Sequence, residues 1–449
     1  MTAPQPPRTY SEAIDFLYGS LPMFQRQGGT AVRKGLDNIH ALAETLGHPE
    51  RTYPVVHIAG TNGKGSTAHI LAAILQQHGL RVGLYTSPHY VDFRERIKIN
   101  GKWIPQEGVV DFLRTIWPDI QHIRPSFFEL TVAMAFDHFR NEKVDAAIIE
   151  TGLGGRLDST NIVHPLLSII TNIGRDHQEF LGHTLEAIAA EKAGIIKEKT
   201  PVLIGRSQPE TISVFERHAR AAHAPLYDAK EIVDCTHRGL ASLSQAHYGI
   251  RWAQGAEHIV LSDLTPPYQA ANIRTALAAA ALLRNAFGLD RHTALTALEN
   301  VRTATGLMGR WQLIHTRPPV IIDSAHNADG IRAALNTLPL YSYDQLHIIY
   351  AAAADKDIAA IVPLLPHKAV RYYLTEFDLP RKMPVHRLMQ TFQQEGLPAA
   401  PFPTSAQALK AACTHAGEND LILVIGSVFL AGEILQNWKA HNAGSVTLR

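Results

Sequence analysis

The stretch His57-Ile58-Ala59-Gly60-Thr61-Asn62-Gly63-Lys64-Gly65-Ser66 leads from an apolar run, Val55–Ala59, into a helical pattern that begins at Thr67. A strand, a glycine-rich turn and a helix in that order form a phosphate cradle. Backbone N–H groups at the helix start face the anion, the glycines allow close approach, and Lys64 neutralises charge on the outer phosphates. The spacing departs from the common P-loop: two residues separate Gly60 from Gly63, and Gly65 stands between the lysine and Ser66. This short form points to one group of ATP users.

Outward from this turn, short β-rich runs alternate with helical patterns as far as about residue 205. Expected strands are Val55–Ala59, Val82–Tyr85, Val144–Ile149, Leu166–Ile173 and Pro201–Ile204. Expected helices are Thr67–His78, Phe127–Arg140 and Thr184–Lys197. Such alternation predicts an α/β fold, a mostly parallel sheet with helices on both faces. Residues 226–268 hold scattered short strands expected to form a small antiparallel addition, and helices follow through 269–300. A second alternating block begins near residue 320, with strands at Val320–Ile322, Leu346–Tyr350, Ala369–Leu374 and Leu421–Ile425. Asn300–Gly309 is rich in small and turn-forming residues and marks the expected junction. The chain divides on this reading into residues 1–303, with the P-loop, and a smaller Rossmann-like α/β domain at 304–449.

Hydrophobic content of 46% and charged content of 18% describe an ordinary globular chain. A formal net charge of +1 leaves no electrostatic footprint for nucleic acid or an anionic membrane. Cys235 and Cys413 are too few for a disulfide framework, and neither lies in a metal-spacing motif. The start, Met1 to Arg8, is proline-rich with no apolar signal core behind it, and no apolar segment is long enough to span a membrane. The expectation is a cytoplasmic monomer whose partners are small molecules.

In open α/β sheets ligands bind beyond the carboxyl ends of the strands, so the residues that follow each apolar run locate the site. Those residues are Thr86-Ser87-Pro88-His89, Glu150 through Asn161, Gly174-Arg175-Asp176-His177, Asp323-Ser324-Ala325-His326-Asn327 and Gly426-Ser427. Five such endings, drawn from both blocks, favour a shared cleft. Glu150, one step past a buried strand, is a natural magnesium ligand; alternatively it stands in solvent or pairs with Arg156. His177 alone would be a turn or cap residue, since nitrogen ligation of magnesium is unusual. Lys192 falls on the apolar stripe of its helix, at i+4 from Ile188 and i+3 from Ala189. It either snorkels outward or is held inward for chemistry, where loss of solvent would lower its pKa and allow a modification that needs the neutral amine.

Taken together, these residues resemble the folylpolyglutamate synthase/dihydrofolate synthase family, relatives of the Mur ligases. The resemblance rests on His57 through Ser66, Thr86-Ser87-Pro88-His89, Phe93-Arg94-Glu95-Arg96-Ile97, Glu150 through Asn161, Asp176-His177 and Glu191-Lys192-Ala193-Gly194-Ile195. Gly309-Arg310, Asp323 through Asn327, Asp355-Lys356-Asp357 and Gly426-Ser427 complete it, so it covers nearly the whole chain. It implies a Mur ligase-like fold and an ATP- and magnesium-dependent ligase that joins L-glutamate to dihydropteroate, to the γ-carboxylate of reduced folates, or to both, through an acyl phosphate. By the same resemblance, Gly60, Thr61, Asn62, Gly63, Lys64, Gly65 and Ser66 hold ATP with Asn272, Arg310 and Asp323. Ser66, Ser87 and Glu150 hold one magnesium ion; His177 and a carbamylated Lys192 share Glu150 around a second. Lys64, Lys192, His177 and Glu150 form the catalytic set. Ser126, Leu157, Asp158 and Ser159 face the pterin, and Arg96, His326 and Ser427 bind the incoming glutamate.

Three segments depart from the family pattern. Met308 precedes Gly309 where relatives often carry proline, Ala351–Ala354 precedes Asp355 where they often begin with glycine, and Ala31-Val32-Arg33-Lys34 is unusually basic for a pterin-side loop. Two other functions compete. A Mur-type ligase acting on a UDP-muramyl acceptor usually has a nucleotide-sugar domain before the phosphate loop, and 59 residues precede Gly60 here. A catalytically silent nucleotide-binding homologue would have lost a metal ligand, yet Lys64, Ser87, Glu150, His177 and Lys192 are all present.

Overall fold

A computed structural model of the chain describes residues 5–23, 35–368 and 370–442. The basic loop Ala31–Lys34 lies outside the described residues. The first sheet contains β1 (Val55–Ala59), β2 (Val82–Tyr85), β3 (Ile97–Ile99), β4 (Lys102–Trp103), β5 (Ala146–Glu150), β6 (Leu167–Ile170), β7 (Val202–Ile204) and β8 (Leu226–Asp228). Its order is β4-β3-β2-β5-β1-β6-β7-β8, parallel from β2 to β8, with β3 and β4 added as an antiparallel edge. Every residue of β1 and β5 is buried, as expected of strands covered on both faces. The chain leaves β1 for β2 on one side and later builds β6 to β8 on the other. The crevice of such a reversal opens beyond the carboxyl end of β1, where the P-loop lies. Register places Ile58 opposite Glu150 and Ala59 opposite Ile170, so the endings of β5 and β6 flank that loop.

A separate antiparallel sheet, β9 (Val233–Ser242), β10 (Gln245–Trp252) and β11 (Glu257–Ser262), packs against the helices Lys64–Gln77 and Gln269–Leu282 in one core. The opposite face of the first sheet is covered by Tyr10–Gly19, Asp37–Thr45, Gln106–Ile123 and Phe127–Asn141. The third sheet holds β12 (Gln312–Thr316), β13 (Pro319–Ile322), β14 (Leu346–Tyr350), β15 (Val370–Leu374), β16 (Ala399–Pro401) and β17 (Leu421–Ile425). Its order is β12-β13-β17-β14-β15-β16, parallel except for the β12 edge, with apolar cores on both faces. Among the described residues no helix is long and apolar enough to cross a membrane.

Local chemistry moves several expected boundaries. The helix expected over Thr184–Lys197 spans only Leu185–Ala193, because Thr184 caps its start and Gly194 ends it. The P-loop helix starts at Lys64, earlier than Thr67, since Gly63 takes the N-cap position. Leu226–Asp228 joins the first sheet as β8 instead of the antiparallel addition. The strands β3 and β4 are too short for periodicity to reveal.

Candidate active site

The carboxyl ends of the first and third sheets face each other across a cavity of about 820 Å³. The P-loop, Ser87, Arg96, Ser126, Glu150, Leu157, Asp158, Ser159, His177, Lys192, Asn272, Arg310, Asp323, His326 and Ser427 all line it. The P-loop is pinned to the residues that follow β6. Thr61 N donates to Asn172 O at 2.9 Å, Asn62 N to Asn172 Oδ1 at 2.8 Å, and Thr171 Oγ1 to Asn62 O at 2.7 Å. Gly63 has a φ of 86°, and a Cβ there would stand 2.3 Å from Asn272 Oδ1, so only glycine lets the loop pass beneath that side chain. Lys64 Nζ donates to Gly60 O at 3.1 Å and Thr61 O at 3.3 Å, which folds the ammonium over the turn. Ser66 Oγ accepts from Gln269 Nε2 at 3.4 Å, and Gln269 in turn accepts from Asn272 at 2.8 Å.

Glu150 ends β5 with 4% exposure, and its Oε2 accepts from Ser87 N at 3.2 Å. Burial raises its carboxyl, against the opposing pull of the nearby Lys64 charge. The alternative pairing with Arg156 is not what forms: Arg156 bonds Glu191 at 2.9 Å. Hydroxyl and carboxylate oxygens from Ser66, Ser87 and Glu150 suit a hard divalent cation. Among the described residues no group of three or more His, Cys, Asp and Glu side chains is placed to hold a metal ion by itself.

Lys192 resolves the choice between snorkelling and burial. It is 4% exposed and its Nζ donates to Gly60 O at 2.8 Å, behind the P-loop. Burial, aided by the Lys64 charge, brings its amine down to about 7. Burial likewise holds His177 down at about 4; it caps a short helix with a φ of 50°. The glycines around this helix follow from close approach. A Cβ on Gly155 would stand 2.9 Å from the carbonyl oxygens of Glu191 and Lys192, and one on Gly194 would stand 2.3 Å from Arg156 Cβ. Asp158 closes the same loop, its Oδ2 accepting from Gly152 N at 2.9 Å and Leu153 N at 2.8 Å.

Ser126 caps the helix Phe127–Asn141 in a capping box with Glu129, and Leu157 is 37% exposed. Arg96 is buried, donates from Nε to His89 Nδ1 at 2.7 Å, and holds its guanidinium 5.2 Å from the Phe127 ring centre. This puts Arg96 beside the Ser126 end of the cavity. From the third sheet's side, Arg310 Nη1 donates to Tyr90 Oη at 2.6 Å and to Ser324 Oγ. Asp323 accepts from Tyr268 Oη at 2.7 Å and Trp311 N at 2.9 Å. Ser427 Oγ accepts from Phe429 N at 3.1 Å.

Asp176, to which the resemblance assigns no role, is a hub of the cavity. Its Oδ1 accepts from Lys356 Nζ at 2.7 Å and its Oδ2 from Asn327 Nδ2 at 3.1 Å, with His326 Nε2 at 3.5 Å. Burial alone would raise its carboxyl; the His326 hydrogen bond and the positive groups around it win and hold it well below the usual range. All three partners follow strands of the third sheet, so Asp176 ties the two halves of the cavity together. Its signals in the sequence are its position after a strand and its place in the resemblance, neither of which reveals its partners.

Residues 58–280 match the Mur ligase middle domain, and residues 309–428 match the glutamate ligase domain of Mur ligases. The dihydrofolate synthase/folylpolyglutamate synthase of Bacillus subtilis is 32% identical over 441 residues, covering 96% of this chain and 99% of that protein. Escherichia coli FolC, solved in complex with DHPP and ADP, superposes with a TM-score of 0.82 at 28% identity, covering 98% of this chain and 100% of that one. A bifunctional folylpolyglutamate synthase/dihydrofolate synthase solved with Mn, AMPPNP and L-glutamate gives 0.80 at 28% identity, with 96% and 98% covered. Similarity of this extent, carried through both halves of the cavity, makes the chain a member of the dihydrofolate synthase/folylpolyglutamate synthase family within the Mur ligase superfamily.

Proposed function

We propose that the cavity joins L-glutamate to a pteroate or folate carboxylate at the expense of ATP, and that this chain acts both on dihydropteroate and on reduced folates. The observation that carries the reading is the convergence of phosphate loop, buried carboxylate and inward lysine from the first sheet with Arg310, Asp323 and His326 from the third. The similar enzyme with Mn, AMPPNP and L-glutamate, and E. coli FolC with DHPP and ADP, supply the same classes of ligand in related cavities. We place the domain division at 303/304, which lies in the interval between the two family matches, one ending at 280 and the other beginning at 309. The setting we assign is the cytoplasm, with a monomer acting on small molecules.

In this reading the acceptor carboxylate attacks the γ-phosphorus of ATP and ADP departs, leaving an acyl phosphate. The glutamate amine then attacks the acyl carbon, loses its proton, and phosphate leaves from the tetrahedral intermediate. Such chemistry depends on positioning and on neutralising phosphoryl charge. Backbone N–H groups of the P-loop and Lys64 hold the phosphates, while Asn272, Arg310 and Asp323 orient the nucleotide. Ser66, Ser87 and Glu150 would hold one magnesium ion, and His177 with Lys192 a second; bound there, the ions would offset charge on the transferring phosphoryl oxygens. Lys192 fits that role as a carbamate: its neutral amine adds carbon dioxide and releases a proton, which supplies an anion in place of the amine. Ser126, Leu157, Asp158 and Ser159 form the pterin end; His326 and Ser427 are assigned to the glutamate, with Arg96 reaching it from beside Phe127 at the Ser126 end.

The test is phosphate release with ATP, magnesium and L-glutamate, comparing 7,8-dihydropteroate with tetrahydrofolate. Activity with both is expected, and Lys64→Ala should lower it at least about a hundredfold, the scale of one lost electrostatic stabiliser. Activity with neither acceptor would overturn the assignment, and activity with one alone would reduce it to a single function.

A further inference from the structure

The segment after β2 brings Ser87 and Arg96 to the cavity, and between them it sends Tyr90 across to the second α/β unit. The main chain of Tyr90 is fixed by Glu95, whose carboxylate gathers the amides of Tyr90 at 2.7 Å, Val91 at 2.9 Å and Asp92 at 2.8 Å. From that anchor the side chain enters a slot made for it. A Cβ on Gly309 would stand 2.5 Å from the Tyr90 ring and hydroxyl. One on Gly432, in the helix Val428–Asn442, would stand 2.2 Å from Tyr90 O. Two glycines of one unit therefore clear the space that one tyrosine of the other fills, and the ring packs against the apolar core of the third sheet. Gly309 also has a φ of 60°, so close approach and backbone both favour glycine there.

The hydroxyl at the end of that ring lies within a directed set of hydrogen bonds. Ser324 Oγ gives its one proton to Gly309 O at 2.8 Å, so it can only accept from its other neighbours. Tyr90 Oη, 3.0 Å away, must then donate to Ser324 Oγ, and it accepts in turn from Arg310 Nη1 at 2.6 Å. Arg310 Nη1 also reaches Ser324 Oγ and, at 3.2 Å, Gly309 O. This amino group of the guanidinium is given wholly to the fold, which leaves Nη2 and Nε to meet a phosphate. Burial raises the Tyr90 phenol, against the pull of the Arg310 charge, so the donor in this chain keeps its proton. Arg310 lines the cavity and Tyr90 stands behind it. Resting on the ligase reading, in which Arg310 orients the nucleotide, we propose that Tyr90 is a positioning residue. It reaches across the domain junction, fixes the plane of the Arg310 guanidinium, and so makes nucleotide binding depend on the contact between the two units.

The experiment is titration calorimetry of the full chain with AMPPNP and magnesium, comparing wild type, Tyr90→Phe, Arg310→Ala and the double variant. Tyr90→Phe keeps the ring between Gly309 and Gly432 and removes only Oη, so the unfolding midpoint should change little. Its affinity for AMPPNP should fall at least about tenfold, the scale of one lost hydrogen bond to a charged group. In the Arg310→Ala background the same substitution should cost nothing further, since Tyr90 acts through the guanidinium. Steady-state kinetics should show the loss as a higher KM for ATP with KM for glutamate unchanged. Wild-type affinity in Tyr90→Phe would overturn the proposal, and so would an equal loss in both backgrounds, which would limit the hydroxyl to packing. Binding is read without turnover, so a chain that binds AMPPNP but joins no glutamate would contradict the ligase reading while the Tyr90 comparison still decides. A wild-type chain that binds no AMPPNP would overturn both.

Discussion

His57 lies in the middle of β1, fully buried, with Nε2 at 2.8 Å from Thr160 Oγ1. Thr160 gives its one hydroxyl proton to Asp158 Oδ1, 2.5 Å away, so it must accept from the imidazole. That fixes His57 as the Nε2–H tautomer and leaves Nδ1 a buried lone pair without a partner. The chain His57–Thr160–Asp158 connects the strand behind the P-loop to the amides of Gly152 and Leu153. Burial, reinforced by Lys197, lowers the ring from 6.5 to about 3. The sign follows: below pH 6.5 the unfolded ring takes a proton that the folded ring refuses, so this group's stability is present above 6.5 and drains away toward pH 3. Its slope is at most about 1.4 kcal/mol per pH unit. His57→Gln retains a donor for Thr160 but cannot titrate. Urea unfolding at pH 7.5 and 5.5 should show a smaller loss in the variant than in wild type, and equal losses would contradict the buried neutral ring.

At the scale of elements, the helix Leu185–Ala193 and the glycine-rich loop after β5 meet without room for a side chain between them. Gly194→Ala would bring a Cβ to 2.3 Å from Arg156 Cβ and 2.4 Å from its Cα. The neighbour is backbone, so one of the two elements must move, at a cost of about 1–3 kcal/mol. The movement carries Lys192 away from Gly60, so kcat should fall at least about tenfold while KM for ATP changes little. A variant of lower stability with wild-type kcat would limit these glycines to packing. The same contact explains what could be read beforehand. The glycine-rich run from Glu150 to Asn161 was legible as part of the family resemblance, and the apolar stripe through Ile188 and Ala189 left Lys192 either snorkelling outward or held inward, a choice that its burial decides. The end of the helix was misplaced because Ile195 and Ile196 prolong the apolar pattern past the Gly194 cap; Ile195 is buried by a turn, not by a helix face. The edge strands β4 and β12, and the short β3 just inward of β4, are paired on a neighbour's register and not on any alternation of their own.

For the whole molecule, the site exists only while the two α/β units face each other, and sequence spacing could not say what holds them. The P-loop and Glu150 were visible as strand endings and Lys192 on a helix stripe, but the bond that closes the gap joins positions 176 and 356, far apart in the chain. Lys356 and Asp176 are each only 12% exposed at the side chain, 2.7 Å apart, with Asn62 and Asn327 bonded nearby at 3.1 Å. A pair this sheltered is worth more than a surface ion pair, and truncating one partner leaves a buried charge uncompensated. Lys356→Met should therefore weaken domain closure more than it weakens either unit's own core. We expect kcat/KM for glutamate to fall at least about tenfold, on the scale of measured couplings between close charge pairs, with the unfolding midpoint little changed. Asp176→Asn should do similar harm alone, since it also loosens His326 and Asn327. The decisive measurement is the double variant: if the two residues act through one interdomain bond, Lys356→Met adds little to Asp176→Asn. Fully additive losses would mean that they serve the site separately, and that closure rests on the asparagine contacts instead.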